Sequence, residues 1–302
     1  MHLRSDIENG TILKELGINA VSLANNHVYD FGRKGVEETI SELDRLNILW
    51  YGIDGKTVYT EVCGQKIALS GFCCYSTNGV NYKKKHKNKG VNLLTLDNVL
   101  DQLKSDEKKD AFSILSFHWG IEHTNYPAYE HIYLAKKISE HGPVLIHGHH
   151  SHTVQGISKF NGSLIAYSLG NAIFDDGESI NKKIKIHLNK ENKKSFVLGV
   201  TIEDNTIKDY CIEGFSFDKK IMVNYDISSE LETYSKLLNE TIERKNYEKI
   251  RNRQYQKGIK EKFGNHDMRW MLSRLNYYSI GSKIGSIVRN KRYKKEIKKF
   301  EG

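Results

Sequence analysis

The stretch Val144-Leu-Ile-His-Gly-His-His-Ser-His152 runs from three apolar residues straight into four imidazoles. A short apolar run that ends in a polar cluster reads as a buried strand with ligand-binding groups at its C-terminal end. The same form recurs three times. Ala111-Phe-Ser-Ile-Leu-Ser-Phe117 leads into His118-Trp-Gly-Ile-Glu-His123. Asn19-Ala-Val-Ser-Leu-Ala24 leads into Asn25-Asn-His-Val-Tyr-Asp-Phe-Gly32. A weaker copy is Ser163 to Leu169, which leads into Gly170-Asn171.

Working outward, the segments between these runs are helical. Apolar residues at Val36, Ile40, Leu43 and Leu46 give a helical period over Arg33 to Leu46. A helix before Gly17, one over Asp97 to Leu103, and one opened by Pro127 and running to about Glu140 complete the set, with further strands at Ile48 to Gly52 and Gln65 to Cys74. Helix alternating with buried strand is an α/β rhythm. It changes after about Asp175. Strands are expected at Ile184 to Leu188, Phe196 to Ile202, Ile207 to Ile212 and Ile221 to Tyr225, with no helix between them, which makes an antiparallel closing sheet. Asn78 to Gly90 reads as a Lys-rich loop. The expected organisation is an α/β (α+β) domain over 1–227 and a helical, basic extension over 228–302.

Composition bounds the rest. The chain has 302 residues, 38% hydrophobic and 27% charged. That is enough to bury a core without staples, and no window approaches the ~18 uncharged apolar residues of a spanning helix. Only Pro127 and Pro143 occur, which excludes a Pro-rich linker. Cys63, Cys73, Cys74 and Cys211 make no metal spacing, and the first three are read as buried small hydrophobes. The net charge is +9. From Thr241 onward there are 18 Lys/Arg against 6 Asp/Glu, so the body before it is slightly acidic.

Eight of the 13 histidines fall between His118 and His152. Neutral imidazole is the commonest metal ligand near pH 7, and Asn and Asp oxygens complete a mixed shell for Mn²⁺, Fe²⁺ or Zn²⁺. Each candidate also has a plain structural alternative. Asn25 and Asp30 suit turn and cap positions, and His27 and His118 could be satisfied, partly buried imidazoles. Glu122 could orient a liganding histidine, and His149 could be ligand, support or exposed. His123, His131 and His141 are read as surface groups.

The strings Val21-Ser-Leu-Ala-Asn-Asn-His-Val-Tyr-Asp-Phe-Gly32, His118-Trp-Gly-Ile-Glu122, Gly148-His-His-Ser-His-Thr-Val-Gln-Gly156 and Tyr167-Ser-Leu-Gly-Asn171 resemble, in order and spacing, the motifs of the CapA-type poly-γ-glutamate capsule synthesis proteins. That family looks like a branch of the calcineurin-like metallophosphoesterases. The resemblance covers about Leu3 to Asp175 and implies an αββα sandwich. It implies metal ligation by Asn26, His118, His150 and His152, catalytic contact by Asn26, His27 and His118, and supporting roles for Asn25, Asp30, Glu122, His149 and Asn171. It further implies divalent-metal-dependent hydrolase chemistry in capsule or cell-envelope polymer biosynthesis, with the anionic polymer or its synthesis machinery as partner. The alternative is an inactive fragment or paralogue that acts as an assembly partner.

Ser151 stands where the family usually has proline. The family's opening Gly-Asp strand and its Asn-Leu-Glu segment have no counterpart before the helix at residue 11, so the domain is expected to be N-terminally truncated, to hold at most one ion well, and to have low activity. Relatives usually act outside the membrane behind an N-terminal anchor, and no such segment is seen here. The basic tail, with Trp270, Tyr277, Tyr278 and Tyr293, is a candidate surface for anionic membrane or polymer, or simply a solvated helix; nucleic acid is not expected.

Overall fold

The computed structural model describes residues 2–74, 77, 90–174, 177–178, 185–186, 188–218, 221–239, 243–263, 287–288, 290–291 and 293–298. The elements in chain order are α1 (Gly10–Glu15), β1 (Ala20–Ser22), α2 (Gly32–Arg45), β2 (Leu49–Tyr51), β3 (Val58–Val62), β4 (Gln65–Cys73), α3 (Leu96–Glu107), β5 (Phe112–His118) and α4 (Tyr129–Ser139). They continue with β6 (Leu145–His149), β7 (Ile157–Phe160), β8 (Ser163–Ala166), β9 (Gly177–Glu178), β10 (Lys185–Ile186), β11 (Lys194–Glu203), β12 (Thr206–Asp218), β13 (Ile221–Asn224), α5 (Ser228–Asn239) and α6 (Arg244–Phe263).

The central sheet has the order β3-β4-β5-β6-β8-β7. Its core, β4, β5, β6 and β8, is parallel, while β3 and β7 are antiparallel edges. Successive side chains of a strand point to opposite faces, and this alternation builds the layers. Leu115, Phe117, Ile146, Ile165 and Tyr167 face one way, into a core shared with α3, α4 and Leu238 and Tyr247 of α5 and α6. Phe112, Leu145, Leu164 and Ala166 face the other way, onto Phe196 and the apolar rows of β11 and β12. Gly71 lies on that second face, against Ser22, Ala24 and Gly52, so the parallel pair β1-β2 packs there too. The apolar stripe of α2 covers that pair through Val36 and Leu43. Helices, sheet, sheet and helix therefore follow one another, as the expected α/β sandwich requires.

Several boundaries differ from the sequence reading. Strand β6 runs on through His147-Gly148-His149, because its ladder to β5 continues to His118↔His149. The edge strands β3 and β7 went unread; β3 has exposed polar positions, and β7 is a short hairpin arm. Pro127 stands two residues before the first residue of α4 and sets the chain's entry instead of occupying the first turn. Cys73 and Cys74 are buried, but Cys63 is exposed at a turn with φ 50°. Most of 78–90 and part of 184–188 lie outside the described residues, as do Trp270, Tyr277 and Tyr278. Among the described residues no helix is long and apolar enough to cross a membrane.

The first helices of the segment after residue 228 are fixed to the body. Leu231 and Leu238 of α5 are buried, and Tyr247 of α6 is buried with its hydroxyl donating to the Pro127 carbonyl at 2.8 Å. Tyr247→Phe should cost about 1 kcal/mol by loss of that bond, and Tyr247→Ala on the order of 3–5 kcal/mol by loss of a buried ring. Urea unfolding of the whole chain measures both. An unmoved midpoint for Tyr247→Ala would mean that α6 is only appended.

Candidate functional site

The site forms where β1, β5, β6 and β8 end, all at the C-terminal edge of parallel strands. Strand periodicity sets it up. The register Ser116↔His147 and His118↔His149 puts these four side chains on the face that looks toward β1-β2. The residue between the two histidines, Gly148, points to the opposite face, where Trp119 crosses to donate its indole N–H to the Tyr167 carbonyl at 3.0 Å. A Cβ at Gly148 would stand 2.0 Å from that carbonyl oxygen and 2.3 Å from the indole nitrogen, so only glycine fits. Beyond the strand, His150 (φ 92°) and His152 (φ 56°) adopt left-handed backbone conformations. These are strained for a residue with a side chain and are tolerated where the surroundings fix them.

Side chains from three distant stretches meet here. Asn26 Oδ1 lies 2.8 Å from His118 Nε2, and His118 Nδ1 lies 2.7 Å from His149 Nδ1. The His118 ring centroid is 4.5 Å from that of His150, and His150 is 6.4 Å from His152. His27 is near enough to act electrostatically on both His118 and His150. Burial, with neighbouring imidazoles adding to it, pushes His118 well below the ordinary histidine range and His149 and His150 down to about 3; burial takes His147 to about 4. These four rings are therefore neutral at pH 7.

Neutrality and geometry together fix the protons. Asn26 presents its oxygen, so His118 Nε2 must donate. His118 Nδ1 is then a lone pair and accepts from His149 Nδ1–H. His149 Nε2 in turn accepts from Ser116 Oγ at 3.1 Å, and Ser116 is also bonded to the buried Tyr51 hydroxyl. A chain of hydrogen bonds thus runs Tyr51, Ser116, His149, His118, Asn26.

The other imidazoles are held differently. His27 Nδ1 donates to the Asp30 carboxylate at 2.7 Å, which leaves Nε2 as the acceptor. Asp30 also takes the Leu3 amide. Asn171 donates its Nδ2 to the Asn192 carbonyl, so its oxygen faces His152 Nδ1 at 2.9 Å and leaves His152 Nε2 as the acceptor. Anchoring one ring nitrogen so that the other is presented is how liganding histidines are oriented. The His150 ring makes no hydrogen bond to the described residues.

Not every expected residue takes part as expected. Asn25 turns the loop, its Oδ1 accepting from the His27 amide. Glu122 lies 3.7 Å from His123 and makes no contact with His118. His123, read as a surface group, is mostly covered and touches Asn192. His131, also read as surface, is buried: it stacks on Trp119 at 4.9 Å and meets the Tyr293 hydroxyl at 2.8 Å. Its position on the α4 face that packs on the sheet explains the correction. Ser116, Tyr51 and Asn192 carry no motif and were not found from sequence, although the period of β5 does place Ser116 beside His118; His147 lies within the histidine run but was given no role.

The donor chemistry fits one divalent ion of the Zn, Mn or Fe class, since neutral imidazole suits these metals. The fit is incomplete. Among the described residues no three His, Cys, Asp or Glu side chains form a ready metal group. His118 and Asn26 are occupied with each other, and Asp30 is spent on His27 and Leu3.

Comparison with known proteins gives the following. The family model described as bacterial capsule synthesis protein PGA_cap matches residues 1–176. The chain is 31% identical over 207 residues to "PGA biosynthesis protein CapA" of Bacillus subtilis (strain 168), which covers 65% of this chain and 54% of that one. It is 31% identical over 185 residues to "Capsule biosynthesis protein CapA" of Bacillus anthracis, covering 59% and 45%. A probable polyglutamine synthesis accessory protein of Mycobacterium tuberculosis is 26% identical over 188 residues, covering 57% and 49%. The chain spans about half the length of the curated relatives it matches. Among solved structures, a sulfate thiohydrolase SoxB of Thermus thermophilus superposes with a TM-score of 0.47 at 11% identity, covering 76% of this chain and 38% of that one.

Imidazoles with depressed pKa values make stability pH-dependent. The unfolded chain titrates them near pH 6.5, whereas the folded chain resists protonation down to about 3 to 4. Their stabilising contribution is present above pH 6.5 and is lost as pH falls below it, by up to roughly 1.4 kcal/mol per pH unit for each fully buried ring. The urea midpoint at pH 5.0 should lie well below that at pH 7.5. His131→Asn should flatten the dependence, because its ring is among those held at about 3. Equal midpoints at the two pH values would contradict the neutral cluster.

Proposed function

The chain belongs to the bacterial capsule synthesis protein PGA_cap family, and from this premise we propose that it serves the synthesis of an anionic capsule polymer of the poly-γ-glutamate kind. We assign its chemistry to the histidine centre. The observation that carries this reading is the meeting of Asn26, His118 and His150 from three separate stretches at one sheet edge. Capsule relatives named for polymer biosynthesis support the choice of polymer.

We read the centre as a hydrolase site. Asn26, His118, His150 and His152 would hold one divalent ion, once His118 releases the Asn26 oxygen. Such an ion, when bound, supplies Lewis-acid polarisation of a phosphoryl or carbonyl oxygen. The chain's own groups do the rest. His27, with Nδ1 fixed on Asp30, can take a proton at Nε2 and return it to a leaving group, as a carboxylate-anchored imidazole does in acid–base catalysis. The wall of Trp119, Tyr167 and the two sheets keeps bulk water from the buried side. The domain division 1–227 and 228–302 enters this reading only as the split between the site-bearing body and the basic end.

A second reading, a subunit that binds or assembles without hydrolysing, is favoured by one observation: the direct Asn26–His118 hydrogen bond occupies two of the expected ligand atoms.

Isothermal titration with Zn²⁺ and with Mn²⁺ tests the site. At most one ion per chain is expected, bound weakly, and His150→Ala should remove the heat. Tight uptake of two ions would refute the assignment. Capsule output in cells whose own relative has been deleted separates the two readings: hydrolysis requires that His150→Ala fail to restore polymer, and full restoration would leave the assembly role.

A further inference from the structure

On the α3 side of edge strand β3 lies a cleft of about 540 Å³, away from the histidine centre. Lys56, Lys108 and Lys109 line it together with Thr57, Tyr59 and Gln102, and among the described residues no carboxylate does. None of the three lysines forms an ion pair among the described residues. Two are parked on aromatic faces instead: Lys56 Nζ is 3.3 Å from the centroid of the Trp50 ring, and Lys109 Nζ is 3.4 Å from that of Tyr59. Such contacts hold a cation loosely at an exposed site and leave its charge available.

The floor of the cleft is built. Asp106, only 1% exposed, accepts from the Tyr59 hydroxyl (2.9 Å), Gln102 Nε2 (2.6 Å) and Ser113 Oγ (2.7 Å). Its charge is shared among these three donors. Thr57 Oγ1 donates to Gln102 Oε1 at 3.0 Å and fixes the rest. Asp44, the carboxylate that acts on Lys56, accepts from the Trp50 indole at 3.0 Å. The result is three ammonium groups without an ion pair among the described residues, over an ordered polar floor whose one carboxylate, Asp106, is engaged by three donors.

The loop that carries Lys56 is closed by the Gly52 amide on the Lys56 carbonyl at 3.1 Å. Gly52 packs so closely on Ala24 that a Cβ would fall 2.7 Å from the alanine Cβ, and Ala24 is two residues before Asn26. The loop that carries Lys56 is thus packed against the strand that leads to Asn26.

We propose that this cleft is the binding groove for an extended polycarboxylate chain, its successive carboxylates seated on Lys56, Lys108 and Lys109. Three cations lining one open cleft suit a repeating anion better than one compact ion. The proposal deepens the functional reading above, on which it rests for the choice of polycarboxylate, but not for the groove itself.

The test is titration of the whole chain with poly-γ-glutamate oligomers, followed by calorimetry and by tryptophan emission. Binding should weaken as salt rises, and the Trp50 signal should change as Lys56 leaves its ring. Lys56→Gln/Lys108→Gln/Lys109→Gln should weaken binding roughly tenfold, the sum of three modest exposed charge pairs. Lys294→Gln/Lys295→Gln/Lys298→Gln, on the exposed basic end, should change it less than about twofold if the groove dominates. Trp50→Phe should abolish the emission change and keep the affinity. Binding should be the same with and without EDTA, so a failed metal site would leave this result standing. Equal loss in the two lysine triples would overturn the groove, as would an indifferent groove triple. Polyphosphate binding as tightly as the polymer would overturn the polycarboxylate assignment.

Discussion

The centre depends on keeping imidazoles uncharged between two sheets. His118, His147, His149 and His150 are covered deeply enough that the protonated form is excluded at neutral pH. Two imidazolium ions could not pack with nitrogens 2.7 Å apart, since they would repel in a medium that screens poorly, and burial keeps both rings neutral. Neutrality also gives each ring one donor and one acceptor, and with the Asn26 oxygen turned to His118 the directed chain from Ser116 to Asn26 follows. The same property defines what the pocket is suited to receive. Lone pairs without counter-charge attract a cation but do little to neutralise it, which is the physical ground for the single ion in the proposed reading.

Much of this was legible in the sequence because strand chemistry repeats with period two. Apolar runs at 111–117 and 144–146 announced buried parallel strands, and their polar ends announced the edge where ligands collect. The antiparallel turn of the chain after residue 194 was equally open to reading, since the three apolar runs at 196–202, 207–212 and 221–225 without intervening helix admit little else; the described part of the fourth expected run, Lys185–Ile186, pairs instead with β9 in a sheet of its own. Asn26, His118, His150 and His152 were legible as a group because their motifs each follow a strand.

What escaped reading depended on contacts between distant segments. His131 lies on an unremarkable helical period, and only the docking of α4 on Trp119 and the arrival of Tyr293 make it a buried group. Asn192 orients the His152 loop from a short turn whose sequence carries no signal. Tyr51 looks like any strand residue until β2 is laid over Ser116. Cys63 misled in the opposite way: the apolar run beside it belongs to β3, while the cysteine itself is needed at a left-handed turn.

The C-terminal segment ties these points together. Composition presents it as a charged appendage, yet α6 braces the site loop from behind. Gln254 bonds to Thr124 and Asn125, and Asn125 in turn holds the Val154 carbonyl, just past His152. Thr153 and Gln155 both donate to the Thr124 carbonyl. The left-handed conformations of His150 and His152 need such a scaffold, because nothing in the local sequence favours them. The start of the basic segment is therefore structural support for the histidine loop. Whatever its outer lysines bind, the inner face of α6 cannot be removed without loosening the residues on which the proposed chemistry rests.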